Sequence, residues 1–549
     1  MIFKSPHTSV KIPDLDLPTF MFTYARKNTV FGQNPNLITM IQHSQSLTFA
    51  DFERQTDEFA SGLHNNLEFQ RGDILAAILP NTPFYPIITM GTLLLGGVVN
   101  TANPAYTARE LSHQLKMTQP KVIVTMHDFL ATTQEAIKLS GLSIPKSHII
   151  TVDNGDNSLQ QIYSTRHFPR VYLTAKKQTA QTPAFIVFSS GTSGAPKGVV
   201  LSHRNLVANA MQFLEVDRAD YKLAQAVGHR YQRRWLQVLP MFHIYGILVT
   251  NAGILTGAVV VMMDNFNFPG FCALLQDHKA DTVYVAPPII LALAKSPEVK
   301  KYDLSSLKYI NSGAAPLGKE LQAEAERKLG VFVTQGFGMS EASPLISRSA
   351  CGVNTPGSIG PLCSNTEVVF IDNDGKHLGV NQTGEICIRG PQVMLGYYKN
   401  EAATAETIQS DGYLHTGDIG YIDANNNIYI TDRKKELIKY KGFQIAPAEL
   451  ESLLTDHPDV IDAAVIPVYD EARVSEIPKA FVVVRSEAQN RIGINAEIAG
   501  WLATRVIDYK KLRGGVELID VIPKSATGKI LRRVLKDLEA SRKSPKTKL

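Results

Sequence analysis

The sequence predicts an α/β protein with a large N-terminal domain of layered α/β subdomains plus a small β-rich subdomain, and a smaller α+β C-terminal domain. Three observations carry this. Short apolar runs alternate with helical stretches over the first two thirds, which indicates mostly parallel sheets covered by helices. Between Glu367 and Asp432 the pattern shortens to strands joined by polar turns. After Asp432 a charged stretch, RKKELIKYKG, separates a final α+β segment of about a hundred residues, a usual domain size.

In chain order, ILAAILP (74–80), KVIVTM (121–126), AFIVFSS (184–190), AVVVMM (258–263) and DTVYVAP (281–287) read as buried strands. Thr107 to Lys116, Asn205 to Leu214 and Pro316 to Leu329 read as helices. VVFID, GEICIRG and GYIDANNNIYITD are strands with turns at Asn373-Asp374-Gly375 and Asn425-Asn426-Asn427. Beyond the boundary at Asp432–Lys435, Leu450–Leu454 and Ala496–Val506 are helical, while DAAVIPV and KAFVVVR are strands. The divisions are residues 1–432, 433–540 and a basic tail, 541–549, too polar to pack.

Ile244 to Met263 is uncharged for 20 residues, the length of a membrane span. Gly246, Gly253, Gly257 and Asn251 interrupt it and its end is rich in valine, so it reads as a buried helix, a turn near Thr256-Gly257 and a buried strand. The N-terminus lacks the apolar core of a signal peptide. The chain has 549 residues, 44% of them apolar, and a net charge of +5. So slight an excess implies no nucleic-acid partner. Its four cysteines, Cys272, Cys351, Cys363 and Cys387, form no CxxC pair, which points away from zinc and disulfide frameworks and towards a reducing compartment.

The strongest motif is FSSGTSGAPKGVVLSHRNL, residues 188–206. Ser189, Ser190, Gly191, Thr192, Ser193 and Gly194 combine hydroxyls with small residues whose backbone N–H groups can surround a phosphate, and Lys197 adds a cation. Gly198 after Lys197 breaks the Walker spacing, so this is not a P-loop. In QGFGMSEASPL (335–345), Glu341 can ligate magnesium and Ser340 can donate to a phosphate oxygen. Asp418 of TGD (416–418) can accept from ribose hydroxyls, with Arg433 fifteen residues on. PMFHIYG (240–246) places His243 in an apolar segment.

The 188–206 segment closely resembles the ATP-binding loop of the adenylate-forming superfamily: acyl-CoA synthetases, firefly luciferases and peptide-synthetase adenylation domains. GEICIRG (384–390) resembles the second signature box of plant 4-coumarate:CoA ligases, and the likeness runs from KIPDLDLP to SATGKILRR. The resemblance implies an ATP-, Mg2+- and coenzyme A-using ligase that forms an acyl-adenylate from a small carboxylic acid and then a thioester. It implies that Gln335, Gly336 and Gly338 lie along adenine and ribose, Ser340 on the α-phosphate, Glu341 on magnesium, and Asp418 and Arg433 on the ribose. His243 and Tyr245 would wall the acyl pocket, with Ala314, Pro344 and Leu345. Amino-acid-activating relatives carry an aspartate near His243; MFHIYGILV has none, which argues against an amino-acid substrate.

In the C-terminal part, Lys529 matches the lysine that reaches the α-phosphate, and Lys439 and Gln444 match residues brought in for the second step. Lys435 holds the hinge position, and Lys441-Gly442 correspond to coenzyme A contacts. A further coenzyme A lysine of plant ligases falls at Asn265 and is not carried over. Two chemistries at one site require two domain arrangements, so the C-terminal domain is expected to be mobile. A luciferase-like oxygenase and a carrier-protein loading enzyme remain alternatives. The acid is left open between aromatic (cinnamate-like) and medium-chain. The positions that help bind the ring hydroxyl in plant ligases are Val249 and Asn311 here, so a para-hydroxyl is expected to gain little. The final TKL reads either as a relative of the peroxisomal SKL address or as part of a bland basic tail, which leaves the location open between peroxisome and cytoplasm.

Overall fold

The computed structural model describes residues 1–549 except 154–156, 190–195, 227–231, 351–354, 435, 441–442, 472, 474, 526–527 and 544–549; side chains are further left out at 219–226, 443–444 and 543. Two large sheets form the N-terminal part. In the seven-stranded sheet the order is Gly396–Tyr397, Lys197–Ser202, Pro183–Ser189, Val98–Ala102, Ile74–Ile78, Val122–Thr125 and Ile149–Thr151. The eight-stranded sheet runs Leu345–Arg348, Phe332–Gly338, Tyr309–Ser312, Thr282–Val285, Arg234–Gln237, Val259–Met262, Ile38–Gln42 and Gln45–Thr48. Both are parallel at their centres. That is why their strands read as unbroken apolar runs: helices cover both faces.

Each expected strand is present, most of them within a residue or two of their sequence bounds; the strand read from Gly420 begins at Leu414 and the one read from Lys479 begins at Ser475. The helix expected from Asn205 to Leu214 is longer, His203–Ala226. The Pro316 helix begins later, at Lys319, behind Gly318. Ile244 to Met263 folds as the helix Ile244–Leu255 and the strand Val259–Met262, turning at Gly257 with φ +75°. Among the described residues no helix is long and apolar enough to cross a membrane.

A five-stranded antiparallel sheet follows, ordered Phe3–Lys4, Glu367–Ile371, Gly384–Arg389, Leu414–Ile422 and Ile428–Arg433. Its first strand comes from the extreme N-terminus, a partner no local pattern discloses. The C-terminal part has its own core, built on the strands Val460–Asp470, Ser475–Val484 and Val516–Leu518, with Leu450, Leu454, Ile498 and Leu502 from two covering helices. Arg532, half-buried in this part, donates to Glu451 Oε2 at 2.7 Å and to Glu436 Oε2 at 2.5 Å.

Candidate active site

Where the three N-terminal sheets and the C-terminal part meet lies a cavity of about 830 Å³. The end of the cavity expected to take phosphate starts from a hairpin. Ser189 and Lys197 face each other across the antiparallel strands Pro183–Ser189 and Lys197–Ser202, so the connecting loop leaves and returns at one point. Ser190, Gly191, Thr192, Ser193 and Gly194 are in that loop and lie outside the described residues.

Glu341 sits in a single turn, Ser340–Ala342, directly after the strand Phe332–Gly338. It is buried, and its Oε1 accepts from Ser189 Oγ at 3.2 Å and from Tyr397 Oη at 2.9 Å. Lys197 Nζ lies 4.8 Å from the centre of the Tyr397 ring. One tyrosine therefore joins the hairpin lysine to the acidic turn. Burial and the Glu341 charge push its phenol up, so it stays a neutral donor. The sequence reading missed Tyr397; the available signal was GYY following the signature box.

Asp418 and Arg433 are register partners on the antiparallel strands Leu414–Ile422 and Ile428–Arg433, with Nε 3.0 Å from Oδ1. Burial raises the Asp418 carboxyl, opposed by the charges of Arg433 and Lys529. Arg433, Thr416 and Gly417 line the cavity. Gly336, Gly338 and Ser340 line it as well. Gln335 is committed elsewhere: its Oε1 accepts from Leu317 N at 3.3 Å and its Nε2 donates to Gln322 Oε1 at 3.0 Å. It supports the strand from behind instead of joining the cavity wall.

Lys529 reaches the cavity from the C-terminal part. Burial first, then the neighbouring Arg433, bring its ammonium down to about 8. Its charge also helps burial lower His243 to about 4, so that imidazole is neutral near pH 7. His243 is the N-cap of the helix Ile244–Leu255, where Nδ1 accepts from Tyr245 N at 3.3 Å. A ring fixed in this way is suited to positioning. Lys439 borders the same cavity, in company with Pro467, Glu476 and Lys536, which the sequence did not lead us to expect before a domain rotation. The Gln444 side chain, Lys435, Lys441 and Gly442 lie outside the described residues.

The other end of the cavity is aromatic. Phe213, Tyr245, Leu248, Tyr284, Ala314, Pro344 and Leu345 line it, with Asn311. Val249 does not. It is buried in the cluster behind, among Trp235, Leu248 and Tyr284. The sequence reading also missed Arg348, a buried cation in this wall. Its signal was a charge inside the apolar strand LISR.

Comparison with known proteins agrees with this architecture. The family model "AMP-binding enzyme" matches residues 27–398 and "AMP-binding enzyme C-terminal domain" matches residues 449–529. A protein of Dictyostelium discoideum named "Probable 4-coumarate--CoA ligase 2" is 38% identical over 98% of this chain and 97% of its own length. The 4-coumarate:CoA ligase 1 of Petunia hybrida is 37% identical over 98% of this chain and 96% of its own. The structure of the anthranilate CoA ligase AuaEII with anthranoyl-AMP superposes with a TM-score of 0.83 at 22% identity, over 95% of this chain and 98% of that one, a likeness of fold. The chain belongs to the AMP-binding, adenylate-forming enzyme family, with 4-coumarate–CoA ligase-like members among its relatives.

Proposed function

We propose that this protein, an ATP-dependent AMP-forming acid–CoA ligase, acts on an aromatic carboxylic acid. One observation carries the substrate class: a single cavity joins a cation- and hydroxyl-rich end, with Ser189, Lys197, Glu341 and Lys529, to an end walled by Phe213, Tyr245 and Tyr284.

In the first half-reaction a carboxylate oxygen of the acid attacks the α-phosphorus of ATP. The bond to the bridging oxygen breaks, and pyrophosphate leaves with its electron pair. The carboxylate is already a nucleophile, so no base is needed, and the protein's part is positioning and charge neutralisation. Lys529 and Lys197 supply positive charge. Neutral His243 and Tyr245 orient the acid. Glu341 suits magnesium, a hard cation that takes one or two carboxylates plus phosphate oxygens and water. Bound there, the ion would screen charge on the phosphates. In the second half-reaction the coenzyme A thiol adds to the acyl-adenylate carbonyl, loses its proton to solvent, and AMP departs as the thioester forms.

Residues 1–432 and 433–540 act in this reading as two units that change arrangement between the steps about Asp432–Lys435, bringing Lys439 and Gln444 into play for thioester formation. Lys441 and Gly442 would contact coenzyme A. With Leu549 as a free C-terminus, TKL would direct the protein to peroxisomes. A fluorescent fusion ending in TKL should be punctate, and diffuse signal with and without TKL would refute it.

The test of function is pyrophosphate release over a panel of benzoates, cinnamates and medium-chain acids, with and without coenzyme A, with thioester identified by mass. Release with no acid would refute the reading. Thioester formed only on a carrier protein, or light emission in place of thioester, would move the chain to one of the alternatives.

A further inference from the structure

We propose that Arg348 selects for acids carrying a hydrogen-bond-accepting oxygen at the end remote from the reacting carboxylate. This rests on the ligase reading above and deepens it.

The strands Phe332–Gly338 and Leu345–Arg348 are antiparallel, and their register pairs Gly338 with Leu345 and Gly336 with Arg348. Gly338 leads into the Ser340–Glu341 turn, so Leu345 marks the phosphate end. Arg348 lies three residues further along, about 10 Å deeper at strand spacing. All four residues line the cavity. The strand thus measures out a pocket with a guanidinium at its inner end, the length of a ring on a short linker.

That guanidinium is 3% exposed as a residue. It lies over Phe213, 4.8 Å from the ring centre, and its Nη2 is 4.0 Å from Asp217 Oδ1. Phe213 and Asp217 are four apart on the helix His203–Ala226 and so share a face. The ring packs against the guanidinium and the carboxylate adds a longer charge contact, and both restrict where a selecting group can point. Asp217 Oδ1 is nearer to Arg233, at 3.3 Å.

Asn311 stands in the same wall. Thr334 Oγ1 donates to its Oδ1 at 2.6 Å, which fixes the amide and leaves the NH2 as its other polar group. Arginine and this NH2 are both donors, so the group they suit is an acceptor. An acid ending in hydrocarbon would press apolar surface on a desolvated cation, whereas an oxygen would be hydrogen-bonded by it. This reverses the expectation drawn from Val249 and Asn311. Val249 is outside the cavity wall, Asn311 is in it as a donor, and the second donor, Arg348, comes from a strand the aligned positions do not include.

The experiment compares near-isosteric pairs that differ by hydroxyl against methyl: 4-coumarate and 4-methylcinnamate, 4-hydroxybenzoate and 4-methylbenzoate, 8-hydroxyoctanoate and nonanoate. Pyrophosphate release gives kcat/KM for each in the full-length wild type, Arg348→Met and Arg348→Lys. On the best-used scaffold the wild type should favour the oxygen-ended acid at least about tenfold. Arg348→Met should bring the ratio to one or below, and Arg348→Lys should keep part of it. Asp217 keeps Arg233 in both variants. If the methionine variant does not fold, the wild-type and lysine ratios decide. Equal or better use of the methyl-ended acids by the wild type, or an unchanged ratio in the variants, overturns the proposal and leaves the ligase reading standing. No release with any of the six acids overturns both.

Discussion

Tyr397 Oη donates to Glu341 Oε1 at 2.9 Å while the Tyr397 ring lies under the Lys197 ammonium, so one side chain aligns an anion and a cation that are 144 residues apart. Tyr397→Phe keeps the ring and removes the donor. A hydrogen bond to a charged group is worth about 1.5–3 kcal/mol, so adenylation should fall by about 10- to 100-fold at limiting magnesium and partly recover at high magnesium. Tyr397→Leu, which also removes the ring, should fall further. Pyrophosphate release titrated with magnesium checks both, and wild-type behaviour of Tyr397→Phe would deny Glu341 its proposed role.

Lys529 should set the alkaline limit of adenylation. A lysine is charged below its pKa, and burial with Arg433 brings this one to about 8 in the ligand-free protein. The kcat/KM for ATP, which reports free enzyme, should fall as pH rises through about 8, far below an ordinary lysine. Lys529→Ala should lose about 10²–10³ in pyrophosphate release and this limb, yet convert supplied acyl-adenylate to thioester at near-normal rate. Lys439→Ala should do the reverse and accumulate acyl-adenylate. Single-turnover assays of both steps in both variants decide, and equal damage to the two steps in each would mean one fixed arrangement.

His243 should add no acidic limb. With its imidazole held near 4 by burial and by Lys529, it is neutral throughout pH 5–8, and the rate should not follow an ordinary histidine titration there. His243→Asn retains a capping side chain and should mainly raise KM for the acid. His243→Ala also loses the cap and should cost about 0.5–2 kcal/mol of stability, measured by thermal unfolding.

Asp432, at the junction, should make the protein less stable as pH rises. Burial lifts its carboxyl to about 7, against 3.8 ordinarily, although Oδ1 accepts from Arg433 N at 2.6 Å. The folded state binds this proton more tightly than the unfolded one. The group's contribution is therefore most favourable below the unfolded value and is lost as pH climbs from about 4 to 7. Asp432→Asn, neutral at every pH, should unfold at a temperature about 5 °C higher than wild type at pH 8, with the gap closing at pH 5. A gap independent of pH would contradict this.

The parallel strands were legible because burial on both faces writes itself as a local apolar run, and Gly257 with its interrupting neighbours distinguished a helix–turn–strand from a membrane span. Ser189, Lys197 and Glu341 were legible because phosphate chemistry demands particular residue types close together in sequence. Tyr397 and Arg348 were not. Tyr397 meets Lys197 on a paired strand and Glu341 on a distant turn, and Arg348 meets Phe213 and Asp217 on a helix, so both depend on tertiary packing, and neither an aromatic in GYY nor a charge in LISR states which cavity it faces. Gln335 shows the converse: the motif drew it to the ligand, while the fold spends its amide on Gln322 and Leu317.

The loop that carries Lys529 touches the N-terminal part through Gly528, which has φ +80°; a Cβ there would meet the Ala286 Cβ at 2.9 Å and Pro288 Cδ at 3.6 Å. Bare backbone is thus what lets the two surfaces shut flush. A methyl group at 528 would act as a doorstop, straining the loop and propping the lysine outward without altering any group that touches the nucleotide. Under the proposed change of arrangement, the seam between the two parts would then stand ajar in one pose only, and the balance of poses would be tuned by a residue that carries no chemistry at all.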